Sequence, residues 1–281
     1  GQSSFTINIT SNASNDDHYT FVNFDNSLLM WLRMDDTNSS GDPTDASGNG
    51  NNGSLEGNAF INGTGKFGDA AHFDGNGDFI NLPASNALIE NQAAWTMSLW
   101  FNTRSIASAS LGNRIITLRN ASGLSAMAFT LGHNNQLQFF YRNQGGTGIT
   151  TNITSVATGA WYHYAVTYNG SASKIYINGT LNATILDTIV GTSSDTARIG
   201  ANPTGSSQFF NGTIDEVLIL NHEITADEIA SLYNASANQY LTNTTALSDG
   251  NHNFTGYAVG INGQKNQTET RTVTIDTTPP V

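Results

Sequence analysis

The chain has no cysteine among its 281 residues. That excludes disulfides, thiolate metal sites and a cysteine nucleophile, and leaves an extracellular location open. Charge is scarce as well: Asp, Glu, Lys and Arg make up 11% of the residues, against a usual supply of about 25%. With three lysines and a net charge of −12, nothing offers the run of cations that nucleic-acid phosphates demand. Anionic membrane surfaces are disfavoured for the same reason. No apolar stretch reaches the roughly 18 residues of a membrane-spanning helix, so membrane insertion is not expected. The opening Gly-Gln-Ser-Ser lacks a charged and apolar leader pattern, which reads as a processed protein or a piece of a longer one.

Asn, Ser, Thr and Gly fill the place of charge. With 35 Asn and 60 Ser or Thr in 281 residues, chance gives 35 × 60/281, about seven Asn-x-Ser/Thr sequons. The chain has fifteen: Asn8, Asn12, Asn38, Asn52, Asn62, Asn120, Asn152, Asn169, Asn178, Asn182, Asn211, Asn234, Asn243, Asn253 and Asn266. The excess points to a glycoprotein outside the cell, at the cell surface.

The periodicity is that of strands. "SFTINI" alternates Phe5, Ile7 and Ile9 with polar residues, and "WTMSLWF" alternates Trp95, Met97, Leu99 and Phe101. "WYHYAVTY" (161–168) and "KIYINGT" (174–180) read as two strands joined by a short polar loop. Eight Asn-Gly pairs supply residues that accept positive φ in tight turns. The pattern predicts an all-β sandwich or jelly roll. One short helix is expected near 225–234, capped by Thr225 with Glu228 reaching back. Ile229, Leu232 and Tyr233 form its apolar stripe.

"NGTIDEVLIL" (211–220) sets two acids, Asp215 and Glu216, before the apolar run Val217–Leu220. Apolar residues on both faces predict a strand covered on both sides. Neighbours on a strand point to opposite faces, so the two acids are expected to diverge. A glycosidase pair needs both carboxyls on one side of the scissile bond. The six histidines are scattered, no Gly-x-Ser-x-Gly elbow is present, and no phosphate-binding fingerprint follows a strand. No catalytic residue is therefore expected, and His163 reads as packing. Trp31, Trp95, Trp100, Trp161, Tyr162, Tyr164 and Tyr168 offer stacking surfaces for a sugar or, alternatively, core filling. Two loops are rich in oxygen: "GDPTDASGNGNNG", with Asp42, Asp45 and Asn49, and "DGNGD", with Asp74, Asn76 and Asp78. The first suits a structural Ca²⁺; the second reads as a hairpin turn or as ligands.

From about 26 to 236 the chain resembles the laminin-G-like, concanavalin A-type jelly-roll domains of microbial surface proteins. The ordered motifs are "LLMWLRMDD", "DASGNGNNGSLEG", "GKFGDAAHFDGNGDFINLP", "WTMSLWF", "WYHYAVTYNGSASKIYINGTL" and "ARIGANPTGSSQFFNGTIDEVLILNHEITADEIASLYN". The resemblance implies two stacked antiparallel sheets, often one structural Ca²⁺, and a role in adhesion or sugar binding. Asp215 then resembles a strand-end residue that anchors Ca²⁺ or a neighbouring loop. The same sandwich hosts laminarinase-type glycosidases, but their Glu-x-Asp-x-(x)-Glu spacing is absent here. "TTALSDGNHNFTGYAVGINGQKNQTETRTVTIDTTPPV" (244–281) resembles the last strands of bacterial and archaeal Ig-like repeats. There Phe254, Gly256 and Ala258 are expected to pair with Arg271, Val273 and Ile275.

The expected organisation is a jelly roll (26–236) inserted into a split Ig-like domain (1–25 and 237–281), the latter ending in a Pro-Pro linker. The expected role is a non-catalytic structural or adhesive module of an extracellular fibre or surface glycoprotein, or else a lectin module. Its partners would be copies of itself, adjacent repeats of a longer protein, or glycans. The four strands visible at the two ends fall short of a full Ig-like sandwich, which predicts end-to-end joining with the Pro-Pro segment meeting the next unit's sheet.

Overall fold

The computed structural model describes residues 4–10, 17–82, 88–89, 92–105, 112–119, 125–142, 147–187, 197–235 and 240–278. From the N-terminus run β1 (Phe5–Ile9), β2 (His18–Phe24), β3 (Leu28–Thr37), β4 (Pro43–Asp45), β5 (Ser54–Glu56), β6 (Phe60–Asn62), β7 (Ala70–Asp74) and β8 (Phe79–Leu82). The middle holds β9 (Trp95–Thr103), β10 (Asn113–Arg119), β11 (Ser125–Leu131), β12 (Gln136–Arg142), β13 (Gly148–Ser155), β14 (Trp161–Tyr168), β15 (Ser173–Ile177), β16 (Thr180–Ile185) and β17 (Ala197–Ile199). Then come β18 (Asn211–Leu220), α1 (Ala226–Tyr233), β19 (Tyr240–Thr244), β20 (Gly250–Gly260), β21 (Lys265–Gln267) and β22 (Arg271–Ile275).

Two antiparallel sheets form the main sandwich. The front sheet runs β16-β15-β14-β9-β18-β3-β4, with β7 beside the first half of β18 and β6 beyond β7. The back sheet runs β13-β12-β11-β10-β17-β8-β5. Between them lies one apolar core, to which Leu99, Val217 and Ile219 contribute from the front and Ile116, Phe129 and Phe139 from the back. This is the jelly-roll sandwich that the alternating strands predict. β9 and β14 pair from Trp95↔Tyr168 to Asn102↔Trp161, as the shared period-2 pattern of the two segments requires.

The outer face of the front sheet is covered too. Leu218 and Leu220 join Trp31, Phe67 and Trp100 in a second cluster, which Ile229 and Leu232 of α1 close at one end. The helix starts with the expected capping box, Thr225 accepting from the Glu228 N–H and Glu228 from the Thr225 N–H. β18 is therefore buried on both faces, which explains its unbroken apolar run.

The rest of that cover comes from the two ends of the chain. β1 pairs with β19, and β2 with β20, from Tyr19↔Val259 to Phe24↔Phe254. Tyr19 and Phe21 of β2 face the front sheet, while Val22 faces the other way and packs with Ile7 and Tyr240. This terminal unit is a small two-sheet sandwich that shares its second face with the jelly roll.

One expected pairing is corrected. β20 meets β22 only through Gly250–Phe254, with Phe254 opposite Arg271 and His252 opposite Val273. Tyr257–Val259 pair with Lys265–Gln267 instead. The Asn262-Gly263 turn, with Gly263 at φ 72°, reverses the chain at once, and antiparallel partners must then run in opposite order.

Burial of β18 on both faces makes a direct prediction. Leu218→Ala and Ile219→Ala point to opposite cores, and each should cost about 2–5 kcal/mol of unfolding free energy in urea titrations. A cost below about 1 kcal/mol for either would show that its face is not core.

Candidate functional site

At Asp215 and Glu216 the strand β18 changes partners, from β7 (Asn211–Ile214) to β3 (Val217–Leu220). It also takes one extra residue against β9, because Asp215 lies opposite Trp100 while Leu218 lies opposite Ser98. That is a β-bulge, and Glu216 adopts φ 51° within it. The expected divergence of the two acids is therefore wrong: the bulge breaks the alternation and turns both side chains to the face shared with the terminal unit. A left-handed glutamate gives no sequence signal, since this conformation usually belongs to Gly or Asn.

Both acids are buried. Asp215 accepts from the Phe67 N–H at 2.9 Å, so it anchors the neighbouring 63–69 loop. Glu216 Oε2 accepts from Trp31 Nε1 at 2.8 Å and from the Tyr19 hydroxyl. The crevice beside them, lined by Tyr19, Trp31, Trp100 and Leu232 among others, holds about 10 Å³, at the lower limit for a single water. Arg33, Asp35 and Asp36 lie at the rim. Arg33 bonds both aspartates and the Gly263 carbonyl of the β20–β21 turn, and Asp35 accepts from the Asp69 N–H. Burial pushes the Glu216 carboxyl up to about 8, with Tyr19, Arg33 and Trp31 working against it. Burial likewise raises Asp35 to about 6 and holds Asp215 above the carboxylate range, the charge of Glu216 adding to it.

The oxygen-rich loops are ordered by their own amides. Asp45 accepts from the Trp31, Ser47 and Asn51 N–H groups and from the Ser47 hydroxyl. Asp42 accepts from the Leu55 N–H, and Asn49 donates to the Leu28 and Leu29 carbonyls. Asp215 lies two strands across the sheet from Asp45 and is not part of that loop. Among the described residues no three His, Asp or Glu side chains form a group able to hold a metal ion. In "DGNGD", Asp78 accepts from the Asn58 and Asp74 N–H groups. That segment links β7 of the front sheet to β8 of the back sheet and is not a hairpin.

Most of the aromatics fill cores. Trp31, Trp95, Trp100, Tyr164 and Tyr168 are buried; Trp161 and Tyr162 are half-buried. His163 is fully buried with Nε2 on Ser98 Oγ at 2.7 Å, and burial lowers its pKa to about 3. The sequons spread over both sandwiches. Asn12 and Asn120 lie outside the described residues, as does the side chain of Asn243.

An open groove lies in the terminal unit. A groove of about 550 Å³ runs over Gly256, Ala258 and Gly260 of β20, between Ile9 and Thr10 on one side and Gln264 to Thr268 on the other. These glycines and the alanine alternate on one face. Sequence reasoning missed the groove; the run of small residues at every second position was its signal.

The comparisons with known proteins fit this architecture. The concanavalin A-like lectin/glucanase superfamily profile matches residues 74–230, more than half of the chain. The chain belongs to this superfamily. No curated protein matches it by sequence. Among solved structures, it is similar to domain 4 of AbnA, a GH43 extracellular arabinanase from Geobacillus stearothermophilus, in complex with arabinotriose. The match has 22% identity and TM-score 0.56, covering 74% of this chain and 98% of that one. It is similar too to the binding domain of botulinum neurotoxin serotype G, at 16% identity and TM-score 0.58, covering 73% and 50%. Trypanosoma rangeli sialidase in complex with the inhibitor DANA gives 15% identity and TM-score 0.59, covering 75% and 33%. The chain thus spans half of the neurotoxin domain and a third of the sialidase. At these identities the likeness establishes the fold.

The raised carboxyls fix the sign of the pH dependence. The folded protein keeps protons that the unfolded chain releases near pH 4–5. Stability from Glu216 and Asp35 is full below that range and is lost as pH rises through about 6 and then about 8. Glu216→Gln should flatten the fall in melting temperature between pH 5 and pH 8 and raise it at pH 8. A wild-type melting temperature that climbs across this window would contradict the assignment.

Proposed function

We propose that this superfamily member is a non-catalytic structural and adhesive module of an extracellular fibre or surface glycoprotein, with copies or adjacent repeats joined through the terminal unit. The groove of about 550 Å³ beside β1 is the observation that supports it best. We take the terminal unit as Ig-like, with the jelly roll between its halves. One sheet carries β2, β20 and then β21 and β22 side by side along β20; among the described residues the other carries β19 and β1. Ile9 packs on Gly256, so β1 covers the near part of β20. Beyond it, among the described residues, nothing approaches within 4 Å of where a side chain on Gly260 would begin, and β1 pairs with β19 alone. An extended strand from another copy would lie there beside β1, on the small residues of β20. The Pro-Pro segment proposed to meet that sheet falls at 279–281, outside the described residues.

The non-catalytic reading rests on the state of the acids. Asp215 and Glu216 sit behind Tyr19, Trp31 and Phe67, and among the described residues the crevice beside them holds only about 10 Å³, too little for a substrate. The extracellular reading rests on sequon density. Glycan binding is the alternative, favoured by a superfamily of lectins and glucanases and by a similar domain solved with arabinotriose. Since most of the aromatics are core, any sugar has to meet other residues, and a glycan array of the purified chain decides between the readings.

Light scattering against concentration tests assembly. Wild-type protein should grow into linear oligomers, and Ala258→Arg should remain monomeric with an unchanged melting temperature. Wild-type protein that stays monomeric at millimolar concentration would overturn the proposal.

Calcium on the 42–52 loop is a proposal with a narrow form. Asp42, Asp45 and Asn49 sit on one ordered loop, so an ion would take the places of the Ser47 and Asn51 donors on Asp45. Binding at a hundredfold excess over Kd adds about 2.7 kcal/mol. Chelator should then lower the melting temperature by several degrees, and an unchanged curve would remove calcium from the account.

A further inference from the structure

Among the described residues, the exposed large apolar side chains are Phe60, Leu181 and Leu186. Phe60 is the aromatic one, and it is half exposed at 50%. It stands two residues before Asn62, on the same face of β6, in the order Phe60-Ile61-Asn62-Gly63-Thr64. Its ring lies flat on His72 of β7, with centroids 4.8 Å apart and planes 7° apart. An exposed ring held this rigidly is a platform that lacks only an occupant.

The polar groups around it are set in one direction. Arg104, always protonated, donates to His72 Nδ1, so the imidazole carries its proton on Nε2. Burial and then the Arg104 charge lower the pKa of His72, which keeps the ring neutral. Nε2 is 3.0 Å from Thr64 Oγ1 and donates to it. The Thr64 hydroxyl in turn donates to Asn62 Oδ1 at 3.0 Å, and the Thr64 N–H to the Asn62 carbonyl at 2.9 Å. Asn62 is exposed, its oxygen is held, and its Nδ2 makes no hydrogen bond among the described residues. This relay from Arg104 to Asn62 fixes the sequon beside the ring.

We propose that Asn62 carries an N-linked glycan whose first sugar stacks on the exposed face of Phe60. The apolar face of a pyranose presents C–H bonds to the electron-rich face of the ring, and a residue two positions along a strand lies within reach of it. In the attachment a separate transferase uses a glycosyl diphosphate donor. Nδ2 attacks the anomeric carbon, the N–C bond forms, the C–O bond to diphosphate breaks with its electron pair, and the amide loses one proton to the transferase. The inference rests on the extracellular reading above.

Two other sequons share the sequence pattern and fail in structure. Tyr176 precedes Asn178 by two residues but is buried, and Asn178 Oδ1 accepts from the His163 N–H instead. Phe209 precedes Asn211, whose sequon residue Thr213 is buried and whose side chain packs on Gly75. The geometry thus picks one site of the three.

The test is expression of the chain in a host that N-glycosylates secreted proteins, with site occupancy by mass spectrometry and melting of Asn62→Gln, Phe60→Ala and the double variant. Asn62 should be occupied. Asn62→Gln should lower the melting temperature of glycosylated protein by roughly 2–4 °C, and should have no effect in the Phe60→Ala background or in protein made without glycans. A bare Asn62 alongside occupied sequons elsewhere would overturn the inference and leave the extracellular reading standing. A drop that persists in Phe60→Ala would overturn the stacking. Failure of the extracellular reading would show separately, as a chain native to a compartment without glycosylation.

Discussion

The seam between the jelly roll and the terminal unit depends on one buried carboxyl. Glu216 reaches it because a bulge in the central strand turns it out of register, and it is held there by Tyr19 from β2 and by the Trp31 indole from β3. Burying an ionised carboxylate is costly, and Glu216 Oε1 and Asp215 Oδ1 have no hydrogen-bond partner among the described residues. Burial therefore raises both groups, which favours their protonated forms. Since its donors come from both parts, this centre fixes how the two sit together, and the Arg33 bond to the Gly263 carbonyl repeats the arrangement at the rim.

That seam shapes how the molecule meets its surroundings. β2 serves two cores at once, Tyr19 and Phe21 facing the front sheet and Val22 facing β1 and β19. The remaining surface is neutral and polar, with little charge for steering. On this account recognition falls to backbone edges, to small-residue grooves and to sugars. In the proposals above, β1 and the floor of β20 would supply the first two, and Phe60 beside Asn62 the third.

Much of this was legible in the sequence, for physical reasons that differ by element. The strand at 211–220 announced burial on both faces because its apolar run does not alternate. The helix announced its start through Thr225 and Glu228. The aromatics of β9 and β14 were legible only as sugar-stacking surfaces or core filling, and the burial of Trp95, Trp100, Tyr164 and Tyr168 selects core for those four. The bulge was not legible, since nothing in "TIDEVL" marks a residue that must turn left-handed, and so the reasoning that sent Asp215 and Glu216 to opposite faces failed. The 42–52 loop was legible only as oxygen density. The same Asp and Asn spacing that suits an ion also suits turns in which a carboxylate gathers backbone N–H groups, and Asp45 does the latter. The groove was hidden because Gly256, Ala258 and Gly260 read as weak strand formers. Among the described residues, the unequal strand numbers of the two facing sheets draw attention to it.

Cryo-electron microscopy of the concentrated protein tests the central claim most directly. The account predicts filaments in which an extended segment of one copy lies along β1 of the next, over Gly256–Gly260. Single particles with that groove uncovered, or filaments joined through the back sheet of the jelly roll, would contradict it.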